Sequence, residues 1–176
     1  MTRGSNVGND ANALTVTANL ASQTFKSPEE ALDAVLGAAH QITHFQTTLI
    51  SEISTAKSEL RIHAVHNADP ALTVPQGLQI PLTASPCQHV ASSVAPFTSM
   101  DMKADAELAI LPAAKDLGAS AYIGVPVVLM DGSFFGTLVG LDTSPKEESS
   151  EDIQWMQVLA QLAALQIERQ RAAQPV

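Results

Sequence analysis

The sequence predicts an α+β domain built around a largely antiparallel sheet. Three observations carry this. Two pairs of alternating or apolar runs, 47–54 with 59–66 and 122–130 with 133–141, are each joined by a short polar turn. Two stretches with helix-start signals stand at either end of these hairpins, near residues 28 and 149. The order is helix, hairpin, strand, short helices, hairpin, helix; tight turns join antiparallel neighbours, and no βαβ unit repeats.

Each element follows from local chemistry. Ser27-Pro28-Glu29-Glu30 opens a helix: Ser27 caps, Pro28 sits where no donor is needed, and Glu30 completes a capping box. Leu32, Val35, Leu36, Ala39 and Ile42 continue it to about residue 43. Thr47 to Ser54 and Glu59 to His66 read as a hairpin, with Leu60, Ile62, Ala64 and His66 on one face and Arg61, His63 and Val65 on the other. Asn67 to Gly77 is loop, and Leu78 to Leu82 is a short strand that Pro81 places at an edge. Ser85-Pro86 starts a short helix that Pro96 ends, and Phe97 to Met100 is a brief strand. The spacing predicts a helix over about 104–117, broken at Pro112 and ended by Gly118. Asp131-Gly132 between apolar runs predicts a two-residue type I′ turn. Ser149 or Ser150 caps a last helix to about Arg171, with Ile153, Met156, Leu159, Ala160, Ala163 and Ile167 as its apolar stripe. Acidic residues at its start and arginines at its end suit the helix dipole.

Composition limits the function. The chain has 176 residues, 45% hydrophobic but only 4% aromatic, so its core is built from aliphatic side chains. A net charge of −9, with scattered cations, argues against nucleic acid and anionic membrane surfaces as partners. The single cysteine, Cys87, forbids an internal disulfide and argues against a cysteine-based zinc site. No apolar run reaches the roughly 18 residues of a membrane span, and residues 1–25 lack a signal-peptide core. The expected compartment is the cytoplasm. The expected organisation is a flexible segment over 1–26, with a short helix at its end as the alternative, one domain over 27–172 and a tail over 173–176.

Ser120-Ala121-Tyr122-Ile123-Gly124-Val125-Pro126-Val127, then Asp131-Gly132, Phe135-Gly136-Thr137-Leu138 and Leu141-Asp142, resembles the late hairpin of the GAF domain family. Ser85 to Val94, Pro96 and Met100-Asp101 resemble that family's middle segment, and the likeness covers about 28–170. The resemblance implies a GAF-like, and so profilin- or PAS-like, antiparallel sheet of five to six strands. Terminal helices would cover one face, and short helices and loops would enclose a pocket on the other. It also implies a small-molecule-binding regulatory sensor that dimerises through its terminal helices.

The mixed strand face Ser120, Tyr122, Gly124 and Pro126 suits ligand recognition, whereas Ala121, Ile123, Val125 and Val127 suit a core under the helices. Gly124 allows a ligand or a covering helix close to the backbone, and Gly136 and Gly140, beside Leu138, mark a second close approach. From the first strand either Leu49 and Ser51 or Ile50 and Glu52 face the pocket. Met100, Asp101 and Leu111 belong to its rim and roof, and Cys87 stands at a helix start beside it. The candidate ligand-binding set is therefore Ser51, Cys87, Met100, Asp101, Leu111, Ser120, Tyr122 and Gly124, each with plain core packing or a turn role as the competing reading.

No catalytic or metal residue is assigned. Cys87 and His89, two apart, do not face each other on a helix, and free methionine sulfoxide reduction relies on several cysteines. The segment 111–117 holds no Cys or His, which disfavours a covalent bilin. His40 and His44 have a metal-compatible i, i+4 spacing but no accompanying Glu, and a solvated helix end accounts for them. The cofactor is unidentified, with cyclic nucleotide and other small molecules open. Trp155, Val158, Leu162 and Leu165 lie off the main stripe of the last helix and predict a homodimer contact. A ligand-free dimerisation module of the same fold is the alternative, and a thiol-dependent redox enzyme using Cys87 ranks below it.

Overall fold

The computed structural model describes residues 7–175. Apolar residues are sparse in the segment expected to be flexible, yet Val7–Ser22 forms helix α1. Ala13 and Leu20, seven apart and so on one side of the helix, are buried in the main core. The part of that segment before residue 7 lies outside the described residues.

Helix α2 (Pro28–Thr43) starts as its sequence dictates. Ser27 Oγ accepts the Glu30 N–H at 3.1 Å, and Glu30 Oε2 accepts the Lys26 N–H at 2.8 Å, one residue ahead of the cap. It ends at His44, a non-glycine residue with φ 60°, whose N–H reaches the His40 carbonyl at 2.8 Å. Strands β1 (Thr47–Ser54) and β2 (Glu59–Asn67) form the first hairpin. Strand β3 (Gln79–Pro81) is the sheet's edge beside β2, where a missing proline N–H leaves no ladder bond unmade.

Helix α3 (Cys87–Ser93) ends at Val94, φ 48°, two residues before Pro96. Strand β4 (Phe97–Ser99) follows, then helix α4 (Pro112–Lys115). The helix expected over 104–117 is mostly absent. Met102–Ala104 is one 3₁₀ turn, and the Asp105 carboxylate accepts the N–H groups of Glu107 and Leu108 at 2.9 and 3.2 Å. Such local side-chain bonds compete with a helical ladder. Pro112 therefore begins a helix instead of breaking one.

Strands β5 (Ala121–Val128) and β6 (Phe134–Asp142) form the late hairpin. Its turn is not the expected type I′. Gly132 has φ 84° but Asp131 has no positive φ, and Leu129 N–H bonds to the Ser133 carbonyl at 2.9 Å. That is a three-residue loop with glycine in the left-handed position, and Asp131 Oδ1 steadies it by accepting from Ser133 N–H at 2.9 Å. Helix α5 (Ser150–Ala173) is capped by Ser149, whose Oγ accepts the Asp152 N–H at 3.2 Å. Val176, in the expected tail over 173–176, lies outside the described residues.

The six strands form one antiparallel sheet in the order β3-β2-β1-β6-β5-β4. The two hairpins join at its centre, where Ile50 pairs with Leu138 and Leu49 with Val139. Helices α2 and α5 cover one face, over Ile50, Ile123, Val125 and Leu138, with α1 against α2. The chain between β3 and β4 crosses from one sheet edge to the other and carries α3 over the opposite face.

One expectation about facing fails in β2. The register shifts between Ile50 and Ser51, so that Ala64 opposes Ile50 while Ile62 opposes Ser51, leaving His63 as the extra residue of a β-bulge. Leu60 and Ile62 stay on the α3 side, but Ala64 joins the core under the helices and Val65 packs on the α3 side. His63 and His66 both reach the helical face as a result. His63 Nε2 pairs with Gln170 of α5 at 2.8 Å, and the His66 ring lies 5.6 Å from that of His40 in α2.

Candidate functional site

The sheet face away from α2 and α5 carries Leu49, Leu60, Ile62, Tyr122, Val139 and Leu141, all buried. Short elements cover it: the 84–87 turn into α3, and α4 with the residues up to Leu117. Segments this short, bent by Pro86 and Pro112, do not interlock with a sheet as long helices do. They leave a cavity of about 250 Å³, lined mainly by aliphatic side chains.

The floor of this cavity holds a chain of buried polar groups drawn from four elements. Tyr122 Oη donates to Cys87 Sγ at 3.2 Å, and Thr137 Oγ1 donates to the same sulfur at 3.3 Å. The Ser51 and Thr137 hydroxyls are hydrogen-bonded to each other across the β1–β6 pair. Ser85 Oγ accepts the Cys87 N–H at 3.1 Å, fixing the start of α3 over the sheet. Burial above all, then the neighbouring Cys87, pushes the Tyr122 phenol well above its ordinary range. Tyr122 is thus a neutral hydroxyl that donates a proton into the network.

The structure separates the predicted residues. Ser51, Cys87 and Tyr122 line the cavity, and Leu49 settles which face of β1 looks into it. Ser120 is buried at the end of β5, where its N–H and carbonyl bond to Asp142 and Met102. Leu111 packs on the cavity-side core without lining the space. Met100 packs against the other core, and Asp101 is exposed ahead of the 3₁₀ turn. Gly124 admits a side chain of the protein itself: a methyl group there would collide with the Tyr122 ring and hydroxyl. Gly140 likewise makes room for Phe45, 2.8 Å from where its Cβ would stand, and Gly136 for the backbone of Ser51.

Other polar candidates have local partners. His89 stacks on Phe97 with ring centroids 4.4 Å apart, so it does not pair with Cys87. His40 Nδ1 donates to the Phe45 carbonyl at 2.7 Å. Asp142 Oδ1 accepts the Ser144 N–H at 2.9 Å, a turn role. Thr137 was missed by the sequence reading. Its only signal is a hydroxyl inside the otherwise apolar run Phe135-Gly136-Thr137-Leu138-Val139.

Comparison with known proteins agrees with this architecture. The model of the GAF domain family matches residues 27–167. No curated protein matches the chain significantly by sequence. Among solved structures, a GAF domain of an Acinetobacter phosphoenolpyruvate-protein phosphotransferase is 13% identical with a TM-score of 0.72, covering 98% of each chain. The phycocyanobilin-bound GAF domain of a cyanobacterial phytochrome is 13% identical, TM-score 0.69, covering 93% of this chain and 96% of that one. A free methionine-R-sulfoxide reductase from Neisseria meningitidis, solved with its substrate, is 14% identical, TM-score 0.71, covering 99% and 97%. At these identities the likeness is one of fold. Among the described residues no helix is long and apolar enough to cross a membrane, and no three His, Cys, Asp or Glu side chains cluster as a metal site.

Proposed function

This chain belongs to the GAF domain family, and from that membership we propose that it is a cytoplasmic sensor domain that binds a small molecule in the cavity beneath α3 and α4. The observation that supports this reading is the cavity itself. It is apolar and opens through a mouth, and its floor carries Ser51, Cys87 and Tyr122, with Thr137 hydrogen-bonded to Ser51 and Cys87. The same strands bear on both faces. Ser51 lines the cavity with Thr137 bonded to it, and their neighbours Ile50 and Leu138 pack beneath the terminal helices. A ligand that shifts the β1–β6 pair therefore shifts the seat of α5.

Helix α5 is the output surface in this reading. Trp155, Val158, Leu162 and Leu165 are spaced three, four and three residues apart, the spacing of a coiled-coil seam. Val158 and Leu165 are exposed, while Trp155 and Leu162 are partly covered by the main core. A second copy of this chain fits that seam. The thiol-redox alternative has less support, because Cys87 is buried, already accepts two hydrogen bonds, and has no second cysteine to resolve an oxidised sulfur.

Native mass spectrometry of the purified protein tests both parts. The expected spectrum is a dimer carrying a bound small molecule. A strict monomer at high concentration overturns the dimer seam. An empty protein whose melting temperature no metabolite pool raises overturns the sensor reading.

A further inference from the structure

The cavity also limits what it accepts. Building on the sensor reading above, we infer that the part of its ligand seated inside is uncharged, mostly apolar and about ten non-hydrogen atoms in size.

Size comes first. An engineered apolar cavity of roughly 150 Å³ holds one benzene. In the same proportion, a cavity of about 250 Å³ holds about ten non-hydrogen atoms. A nucleotide or a tetrapyrrole is well beyond that.

Charge is decided by the lining. No Lys, Arg or His lines the cavity among the described residues, and its one carboxylate, Asp116, is exposed at the mouth. The backbone adds at most isolated N–H donors. In the first turn of α3, Cys87 N–H goes to Ser85 Oγ and Gln88 N–H to the Ser85 carbonyl. In α4, the N–H groups of Ala114 and Lys115 both go to the Leu111 carbonyl. A phosphate or carboxylate in the interior would be buried without a partner, in a protein whose net charge is already −9.

The polar groups at the floor are neutral. Tyr122 and Thr137 donate to the Cys87 sulfur, the Ser51 and Thr137 hydroxyls share a hydrogen bond, and the Ser85 hydroxyl, which accepts the Cys87 N–H, keeps its own proton to give. Such groups can meet a neutral polar edge of a ligand but cannot compensate a full charge.

The test uses four probes on the full chain, read by isothermal titration calorimetry and thermal shift. They are indole, benzofuran (the same shape with oxygen for N–H), indole-2-carboxylate and cyclic GMP. Indole and benzofuran are both expected to bind and to raise the melting temperature, with neither anion binding at the same concentration. Ala113→Phe, which fills the cavity from its roof, should abolish indole binding, and Ala84→Leu repeats that test if the larger residue prevents a cooperative melt. An anion that binds as tightly as indole and is lost in the filled variants overturns the ligand class and leaves the pocket standing. Indole binding that survives both filled variants places the site elsewhere, and both readings fail. No binding by any probe at millimolar concentration overturns the ligand class, while a small molecule retained in native mass spectrometry would still keep the sensor reading alive.

Discussion

The two faces of the sheet are covered in different ways, and the difference is one of packing. Beneath α2 and α5, Leu36, Ile42, Ile50, Leu138, Met156 and Leu159 are each fully buried, and regular helices of 16 and 24 residues seat their stripes against the strands. Beneath α3 and α4, helices of seven and four residues joined by loops leave space over side chains just as apolar. Long helices close a sheet because their ridges continue over many residues; short ones leave gaps. The sensor proposal rests on this contrast, a closely packed face beneath the terminal helices and a face with space over it.

Matched truncations break this comparison most directly. Leu138→Ala, on the helical face at the sheet centre, should cost about 4 kcal/mol in chemical denaturation, because the neighbours cannot collapse into the hole. Cys87→Val should cost about 3 kcal/mol by leaving the Tyr122 and Thr137 hydroxyls without their shared acceptor. Leu49→Ala, one residue from Ile50 but facing the cavity, should cost only about 2 kcal/mol, since the removed atoms already border empty space. Equal losses at 138 and 49 would mean that the faces are equally packed. Gly124→Ala should cost about 1.5 kcal/mol by displacing the Tyr122 ring, and Tyr122→Phe in the same background should recover part of it.

The smallest effect concerns pH on the helical face. Burial, then the charge of His40, lowers the His66 pKa, and Asp33 opposes the shift. Below its ordinary value near 6.5, the unfolded chain binds the His66 proton more readily than the folded one. Stability should therefore rise with pH between the lowered value and 6.5 and be lost on acidification through that window. His66→Gln should flatten this part of the melting-temperature profile. An unchanged profile would mean that the imidazole is not held in its neutral form.

Much of the fold was legible because it is written locally. The Ser27-Pro28 and Ser149 caps, the two hairpins and the edge position of Pro81 each rest on residues within a few positions of one another. So does the division of β5 into Ala121, Ile123, Val125 and Val127 toward the helices and Tyr122 toward the cavity. The misses have local causes of a subtler kind. Asp105 turned a helical pattern into a run of turns, and a residue inserted at His63 reversed the facing of the rest of β2.

By itself, then, the sequence determined most of the elements, α1 and the 104–117 segment excepted, their order and the aliphatic character of both cores, because periodicity and capping act within a turn or two of chain. Only the tertiary structure decided that Ser51, Cys87 and Tyr122 meet on one cavity floor, with Thr137 bonded to two of them, while Met100, Asp101 and Gly124 do not. The bonds that join them span 35 to 86 residues of sequence. Contacts of that range depend on the central β1–β6 pairing and on the path of α3 across the sheet, which no short stretch of chain encodes.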